Sequence, residues 1–436
     1  NATVNSAIQF FLMKFYTDGA LVSSALAGNA LLIGKIWDAI NDPLFGWFTD
    51  RTKSRHGKRR VFMLFGAIPL AIAIALLWFV PVADLIWTFV WIALTFVLFD
   101  TIWTLTNVPY YALTSELTDN YDERSSLTTY RMAMAVPAYL VGAALTPAIV
   151  GLFALPRTGY AFIGIAYGLL AAVALLISAA GLRERSGLAV AKPEPSPFRS
   201  LFLAFKNRPF VWLCGTYFVI NLSFAFIKIL MAYYIEYQLL MKAETTLVMG
   251  LMLICVTISL PFWQWVGRKI DKGPAYGLGM AAGGLAIILT FFLPHQSTWI
   301  IYVIAVLAGF GFSSQWIYPW AMVADVADYD RAETGQQRSG MYYGVWGLAT
   351  KISEALAFAA VGWILAGFHY VPNVEQTPQA LLGIRLFFGL VPAAIIFISL
   401  PLLFKYPLNR QRHAEIRARL AAMDAAAQTE TPSPVA

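Results

Sequence analysis

Lys35-Ile-Trp-Asp38-Ala-Ile-Asn41-Asp42-Pro43-Leu-Phe-Gly46-Trp-Phe-Thr-Asp50-Arg51 sets two carboxylates and an amide inside an apolar run and ends that run with an Asp-Arg pair. Far downstream, Gly267-Arg-Lys-Ile-Asp271-Lys272-Gly273 repeats the ending, a Gly followed four residues on by Asp and a basic residue. The first copy closes the second long apolar run of the chain and the second copy closes the eighth. A repeat at the same place in two sets of six runs predicts an internally duplicated membrane bundle.

The composition agrees with lipid as the solvent. Of 436 residues, 59% are hydrophobic and 13% charged, about half the charged share of a soluble domain. The 14 Trp and 20 Tyr suit membrane interfaces and binding cavities. A membrane-crossing helix needs about 20 mostly apolar residues. Such runs fall near 1–17, 23–49, 61–81, 86–112, 131–153, 159–182, 209–238, 245–267, 275–294, 299–324, 340–367 and 381–404. They predict an all-α membrane protein of twelve transmembrane helices in two six-helix, pseudo-symmetric halves, the major facilitator fold. The halves are expected at 1–182 and 209–404. Between them lies a linker at 183–208 containing Lys192-Pro-Glu-Pro-Ser-Pro197, and a tail follows at 405–436. The chain opens at Asn1, already near an apolar run, so either a leading segment is missing or the numbering starts late; no cleavable signal peptide is read there.

Basic residues set the orientation. Arg51 through Arg60, Arg183 through Arg208, Arg268 through Lys272 and Lys405 through Arg419 fill alternate loops and the tail. The opposite loops carry Arg157, Lys242 and Arg385. Both termini are therefore expected in the cytoplasm of a multi-pass bacterial inner-membrane protein. The net charge of +7 is a topology signal rather than a nucleic-acid footprint. Cys214 and Cys255 lie in apolar runs and read as inert thiols; the four histidines are too scattered to ligate a metal.

An ionisable group deep in a span costs about 2.5–3.5 kcal/mol on insertion scales, and so usually serves a function. Lys14, Lys35, Asp38, Asp42, Asp100, Arg131, Lys228, Lys351 and Glu354 qualify. Asp38 and Asp42 share one helical face, with Asn41 between them. Such carboxylates repel unless a cation or proton joins them, and with Asn41 they offer hard oxygen ligands. The plain alternative is structural pairing with Lys35 and a lysine from elsewhere. Asp100, Thr104, Asn107 and Tyr111 form one stripe on the fourth span, and Asn1, Asn5 and Gln9 another on the first. Asn221, Trp316, Trp346, Thr350 and Lys351 add polar and aromatic groups suited to a sugar. Lys351 and Glu354 are also placed to pair within their own helix.

The stretch from Lys35 through Arg59 resembles the glycoside–pentoside–hexuronide:cation symporters. So do Asn107-Val-Pro109-Tyr-Tyr111, Met322-Val-Ala-Asp325-Val-Ala-Asp328-Tyr329 and the run from Tyr370 to Gly383. The resemblance covers essentially the whole chain. It implies a Na⁺ site at Asp38, Asn41, Asp42 and Thr104, with H⁺ or Li⁺ as alternative coupling ions and no other cofactor. It implies a solute site including Asn107, Tyr111, Arg131, Trp316 and Lys351, to which Asn5, Asp100, Lys228 and Trp346 are added from the reading of the spans. The sugar-holding aspartates of the family's galactoside carrier fall at Asn107 and near Ala2 here, which puts that substrate in doubt. Losing a carboxylate and gaining Lys228 inclines the pocket towards a uronide or other acidic glycoside; Asp100 tempers that trend, since it is placed either to neutralise Lys351 or to join the cation site. Animal relatives carry lysolipids. Asp50, Arg51, Arg59, Asp325 and Asp328 are expected to latch the cytoplasmic side.

The expected activity is symport of a small glycoside with Na⁺ or H⁺ by alternating access, with the monomer as the functional unit. An uncoupled facilitator or exporter is the main alternative. A membrane enzyme is disfavoured because no nucleophile–base pair, metal cluster or cofactor loop is legible.

Overall fold

A backbone in lipid must satisfy its N–H and C=O groups internally, which turns long apolar runs into helices. The computed structural model describes residues 1–52, 54, 57, 59–81, 84–117, 121–181, 202–296, 298–336 and 338–429. Its membrane helices are α1 Ala2–Lys14, α2 Ser24–Arg51, α3 Arg60–Leu77, α4 Leu85–Leu117, α5 Tyr121–Val150 and α6 Pro156–Gly181. They continue with α7 Arg208–Tyr233, α8 Thr245–Lys269, α9 Lys272–Phe291, α10 Ile300–Thr334, α11 Ser339–Gly367 and α12 Pro378–Phe404. A tail helix, α13, covers Arg410–Thr429. Most of the linker expected at 183–208 lies outside the described residues.

Among the described residues, nine of these helices are long and apolar enough to cross a membrane unaided. The other three differ for visible reasons. The first, α1, is short, α2 carries the charged cluster, and only Pro137–Val150 of α5 is a pure apolar stretch. The ends are set by local chemistry. Asn207 caps α7 by accepting from the Phe210 N–H, and Thr377 caps α12 by accepting from Ala380. Gly335, with φ +70°, ends α10 in the left-handed conformation that favours glycine.

The halves repeat each other in detail. Helix α3 packs on α6 as α9 packs on α12, α2 on α4 as α8 on α10, and α1 on α5 as α7 on α11. Across the halves, α2 lies along α11 and α5 along α8, two contacts that exchange when the halves are swapped, and α1 meets its counterpart α7. Even the terminal turns match. Both α1 and α7 run into a five-residue π-helical turn, Phe15–Gly19 and Tyr234–Gln238. Each turn is followed by a leucine of positive φ, Leu21 and Leu240, both at 56°.

The α2–α11 seam is close because Gly28 faces Gly362. A Cβ on Gly362 would stand 2.5 Å from the Ser24 carbonyl oxygen and 2.9 Å from the Gly28 Cα, both immovable backbone. The outer faces expose Ile72, Trp87, Ile177, Ile258, Trp299 and Ile398, as lipid requires. The polar exceptions lie inward, between the halves.

Candidate functional site

Helix α2 carries Lys35, Asp38, Asn41 and Asp42 at spacings that put them on neighbouring faces. The Trp37 indole N–H donates to Thr101 on α4 at 2.8 Å and fixes the rotation of α2. The Thr104 hydroxyl donates to Asp42 at 2.9 Å, and the Asn41 amide donates to Asp100 at 2.9 Å. The four residues expected at a cation site, Asp38, Asn41, Asp42 and Thr104, are thus brought together by α2 and α4.

A lysine already lies between the two carboxylates. The Lys351 ammonium, from α11, donates to Asp38, to the Asp38 carbonyl at 3.0 Å and to Asp42 at 2.6 Å. Lys35 adds a contact of 3.5 Å to Asp38. The pairing by lysines that the sequence left open is therefore what this conformation contains, and it joins the two halves. The Asp42 side chain is 44% accessible while that of Asp38 is 8%, so the pair is reached from the Asp42 side.

The network continues through Glu354, one turn along α11 from Lys351. Glu354 does not pair with that neighbour. It receives Lys35 at 3.3 Å and Lys228 of α7 at 3.4 Å. Lys228 also donates to Gln9 of α1 at 2.9 Å, and Gln9 accepts from the Tyr139 hydroxyl of α5 at 2.8 Å. Six helices from both halves thus share one chain of polar contacts, from Thr104 to Tyr139. Lys35, Gln9 and Glu354 were visible as polar positions in apolar runs; Tyr139 was not singled out. Among the described residues, no three side chains of His, Cys, Asp or Glu converge to hold a metal ion.

The other expected residues fall in several places. Asn5 is exposed beside Gln9 and accepts from it at 3.2 Å. Trp316 is 40% exposed and meets Tyr139 edge-on at 5.3 Å between ring centroids. Trp346, expected to face the solute, is fully buried and stacked on Tyr217 at 3.9 Å, so it supports the wall from behind. Asn107 is buried, accepts from Asn1 at 2.5 Å and donates to the Trp103 carbonyl. Asp100, placed from sequence either among the solute residues or at the cation site, lies against α2 and accepts from Asn41. Tyr111 is on α4 and Arg131 on α5, and their side chains lie outside the description, as do those of Asp50 and Arg51 at the end of α2. Arg59 precedes α3. Asp328 is half-buried on α10. Asp325 pairs with Lys272 at 2.6 Å and with His413 at 3.3 Å, partners from the second half and the tail. The described ion pairs of Asp325 thus lie within the second half and the tail.

A second buried network stands at the other end of α1, around the paired π-helical turns. Lys14 meets Asp18 and Glu236, each at 2.8 Å, and lies over the Tyr233 and Tyr237 rings. Asp18 accepts from Tyr237 at 2.7 Å and from Tyr370 at 2.6 Å. Asn373 donates to the Asp18 carbonyl at 2.7 Å. Of these residues the sequence singled out Lys14 as a charge and Tyr370 and Asn373 only within a resembling run; Asp18 is one turn from Lys14, but Glu236, Tyr237, Tyr370 and Asn373 are more than two hundred positions away.

Known proteins carry the same pattern over the same length. A family model described as MFS/sugar transport protein matches residues 2–410. The chain is 28% identical to the uncharacterized symporter sll1374 of Synechocystis sp., over 97% of this chain and 94% of that one. It is 27% identical to YagG of Escherichia coli, named as a glycoside/cation symporter, over 95% and 90%. It is 26% identical to the sodium-dependent lysophosphatidylcholine symporter 1-A of Danio rerio, over 93% and 83%. Among solved structures, a bacterial homologue of the iron transporter ferroportin in its inward-facing state superposes with a TM-score of 0.65 over 93% of this chain and 95% of that one, at 17% identity, a likeness of fold. A helical bundle duplicated in two halves, with an acidic cluster between them and relatives named as symporters, makes this a cation-coupled membrane transporter rather than an enzyme; the chain belongs to the MFS/sugar transport protein family of the major facilitator superfamily.

Proposed function

We propose that the chain is a Na⁺-coupled symporter of a small glycoside, working by alternating access as a monomer in the bacterial inner membrane with both termini cytoplasmic. One observation supports this reading above the rest: the chain of contacts that runs from Thr104 and Asp42 through Lys351, Asp38, Lys35 and Glu354 to Lys228 and Gln9. One end holds hard oxygen ligands. The other holds Asn5, Gln9, Tyr139 and Trp316, an amide and aromatic wall of the kind that binds sugar hydroxyls and ring faces.

Lys351 ties α11 to α2 through Asp38 and Asp42. A cation that draws on those carboxylates competes with Lys351 and loosens the tie between the halves. Lys35 then leans more on Glu354, which alters the hold on Lys228 at the solute end. By linkage, solute must change cation affinity by the same factor. Lys228 is matched by Glu354, which it shares with Lys35, so a neutral glycoside and a uronide are both within the reading. H⁺ and Li⁺ are the alternative ions.

The test is uptake into vesicles of a panel of glycosides and uronides, with and without an imposed Na⁺ gradient. Uptake that accelerates with the gradient, and a solute affinity raised by Na⁺, are expected. Transport indifferent to Na⁺ and H⁺ gradients would leave a facilitator or exporter. The relatives named as lysophosphatidylcholine symporters favour one second reading, a lysolipid-like solute, and lysophosphatidylcholine belongs in the same panel.

A further inference from the structure

The described ionisable groups of the central network do not balance. Lys35, Lys228 and Lys351 supply three positive charges; Asp38, Asp42, Asp100 and Glu354 supply four negative ones. One monovalent cation, or one proton, makes up the difference. The expected place for it, between Asp38 and Asp42, is filled by the Lys351 ammonium. The unmatched carboxylate is Asp100, which is 4% exposed and whose hydrogen-bond partner is an uncharged amide, that of Asn41. The Asp38 carboxylate is its charged neighbour.

Asn41 supplies an independent sign of a ligand. It is fully buried, and its side-chain oxygen has no hydrogen-bond partner. Such an atom costs about 1–3 kcal/mol if left unsatisfied. The nitrogen of the same amide faces Asp100. A half-turn of that amide would present its oxygen to the space beside Asp100 and Asp38. The three side chains would then offer two carboxylates and a carbonyl-type oxygen, the hard donor set that suits a small alkali cation.

We infer that Asp100 is a ligand of the coupling cation, which sits against Asp38, Asn41 and Asp100 on the α4 side of α2. Lys351 keeps its hold on Asp42 while the ion shares Asp38 with it. The inference rests on the cation-coupled reading above; it adds Asp100 to the ligands and leaves Asp42, with Thr104, to Lys351. It also explains why Asp100, sequence neighbour of the solute stripe, is turned away from the solute wall.

The test is Na⁺ titration of the purified transporter in nanodiscs by calorimetry, together with infrared difference spectra of the carboxylate bands. Asp100→Asn keeps the shape and an acceptor for the Asn41 N–H. It is expected to weaken Na⁺ by about tenfold or more, since affinity of such sites follows ligand charge, and to remove part of the Na⁺-induced carboxylate signal. Asn41→Ala serves as a second variant should the first fail to fold, with a weakened Na⁺ affinity again expected. Wild type that binds Na⁺ together with an Asp100→Asn protein of unchanged affinity and spectrum would overturn the inference and leave cation coupling standing. Wild type that takes neither Na⁺ nor Li⁺ would overturn both.

Discussion

The two buried networks are built from the same kinds of residue and differ in their balance. At the π-helical turns, Lys14 and Lys242 face Asp18 and Glu236. Two positive charges, the buried Lys14 and the exposed Lys242, meet two negative ones, and tyrosine hydroxyls complete Asp18. In the centre, three described lysines face four carboxylates. A balanced, hydrogen-bonded cluster holds one arrangement and gains nothing from an added ion. An unbalanced one carries a net charge that an added cation or proton offsets. On the proposed reading the first is a clasp and the second a binding site, and the distinction follows from charge count rather than from residue type.

The largest effect should come from Asp38→Asn. It removes the carboxylate that Lys35 and Lys351 share, and breaking a buried pair from one side costs about 3–5 kcal/mol. Na⁺-driven uptake should fall by more than about a hundredfold, since every 1.4 kcal/mol is tenfold. A rate within a few-fold of wild type would place the ion elsewhere. Glu354→Gln should act more gently, because Gln9 still receives Lys228 and Asp38 still receives Lys35. Its effect should lie in coupling. The factor by which Na⁺ improves solute affinity, about 5–150-fold in typical linked systems, should shrink towards one. Paired binding titrations with and without Na⁺ measure it, and an unaltered factor would remove Glu354 from the chain of contacts.

Asp18→Asn tests the other region. Lys14 retains Glu236, but the contacts from Tyr237 and Tyr370 lose their charged acceptor, worth about 1.5–3 kcal/mol for hydrogen bonds to a charged group. The clasp joins α1 and α7 to the segment holding Tyr370 and Asn373. Weakening it should favour the state opened at that end. A cysteine placed at Asn373 should then react faster with a membrane-impermeant thiol reagent, while Na⁺ affinity changes little. Equal reactivity, or a large loss of Na⁺ binding, would erase the contrast between clasp and site.

Much of the fold was legible because lipid leaves few choices. Twelve apolar runs, a duplicated Gly–Asp ending and alternating basic loops lead to one architecture. The α2 residues of the site were legible for the same reason, since a carboxylate in a span demands an explanation. The partners were harder. Lys351 stood out as a charge, but its position between Asp38 and Asp42 depends on the α2–α11 seam, which the small residues Gly28 and Gly362 permit only in three dimensions. Trp346 looks the same in sequence whether it lines a cavity or backs its wall. The clasp was hidden most fully. Asp18 and Glu236 stand at the ends of runs, where acidic residues are ordinary, and Tyr370 is a loop residue until the chain returns it to Asp18.

The smallest expected effect concerns the backbone under the clasp. Leu21 and Leu240 hold the left-handed conformation at matched places in the two halves, and both are exposed. An L-residue pays roughly 1–2 kcal/mol for that conformation, and glycine pays none of it. Glycine also makes the unfolded chain more disordered, by about 0.5–1 kcal/mol. Leu21→Gly and Leu240→Gly should therefore each stabilise the turn by no more than about 1 kcal/mol, read as a small rise in melting temperature with transport intact. If the strain instead drives opening of the clasp during the cycle, relieving it should slow turnover while the protein becomes more stable. A double variant that gains stability and keeps its rate would show that the turns only position Asp18 and Glu236; one that gains stability and slows would make the two leucines part of the gate.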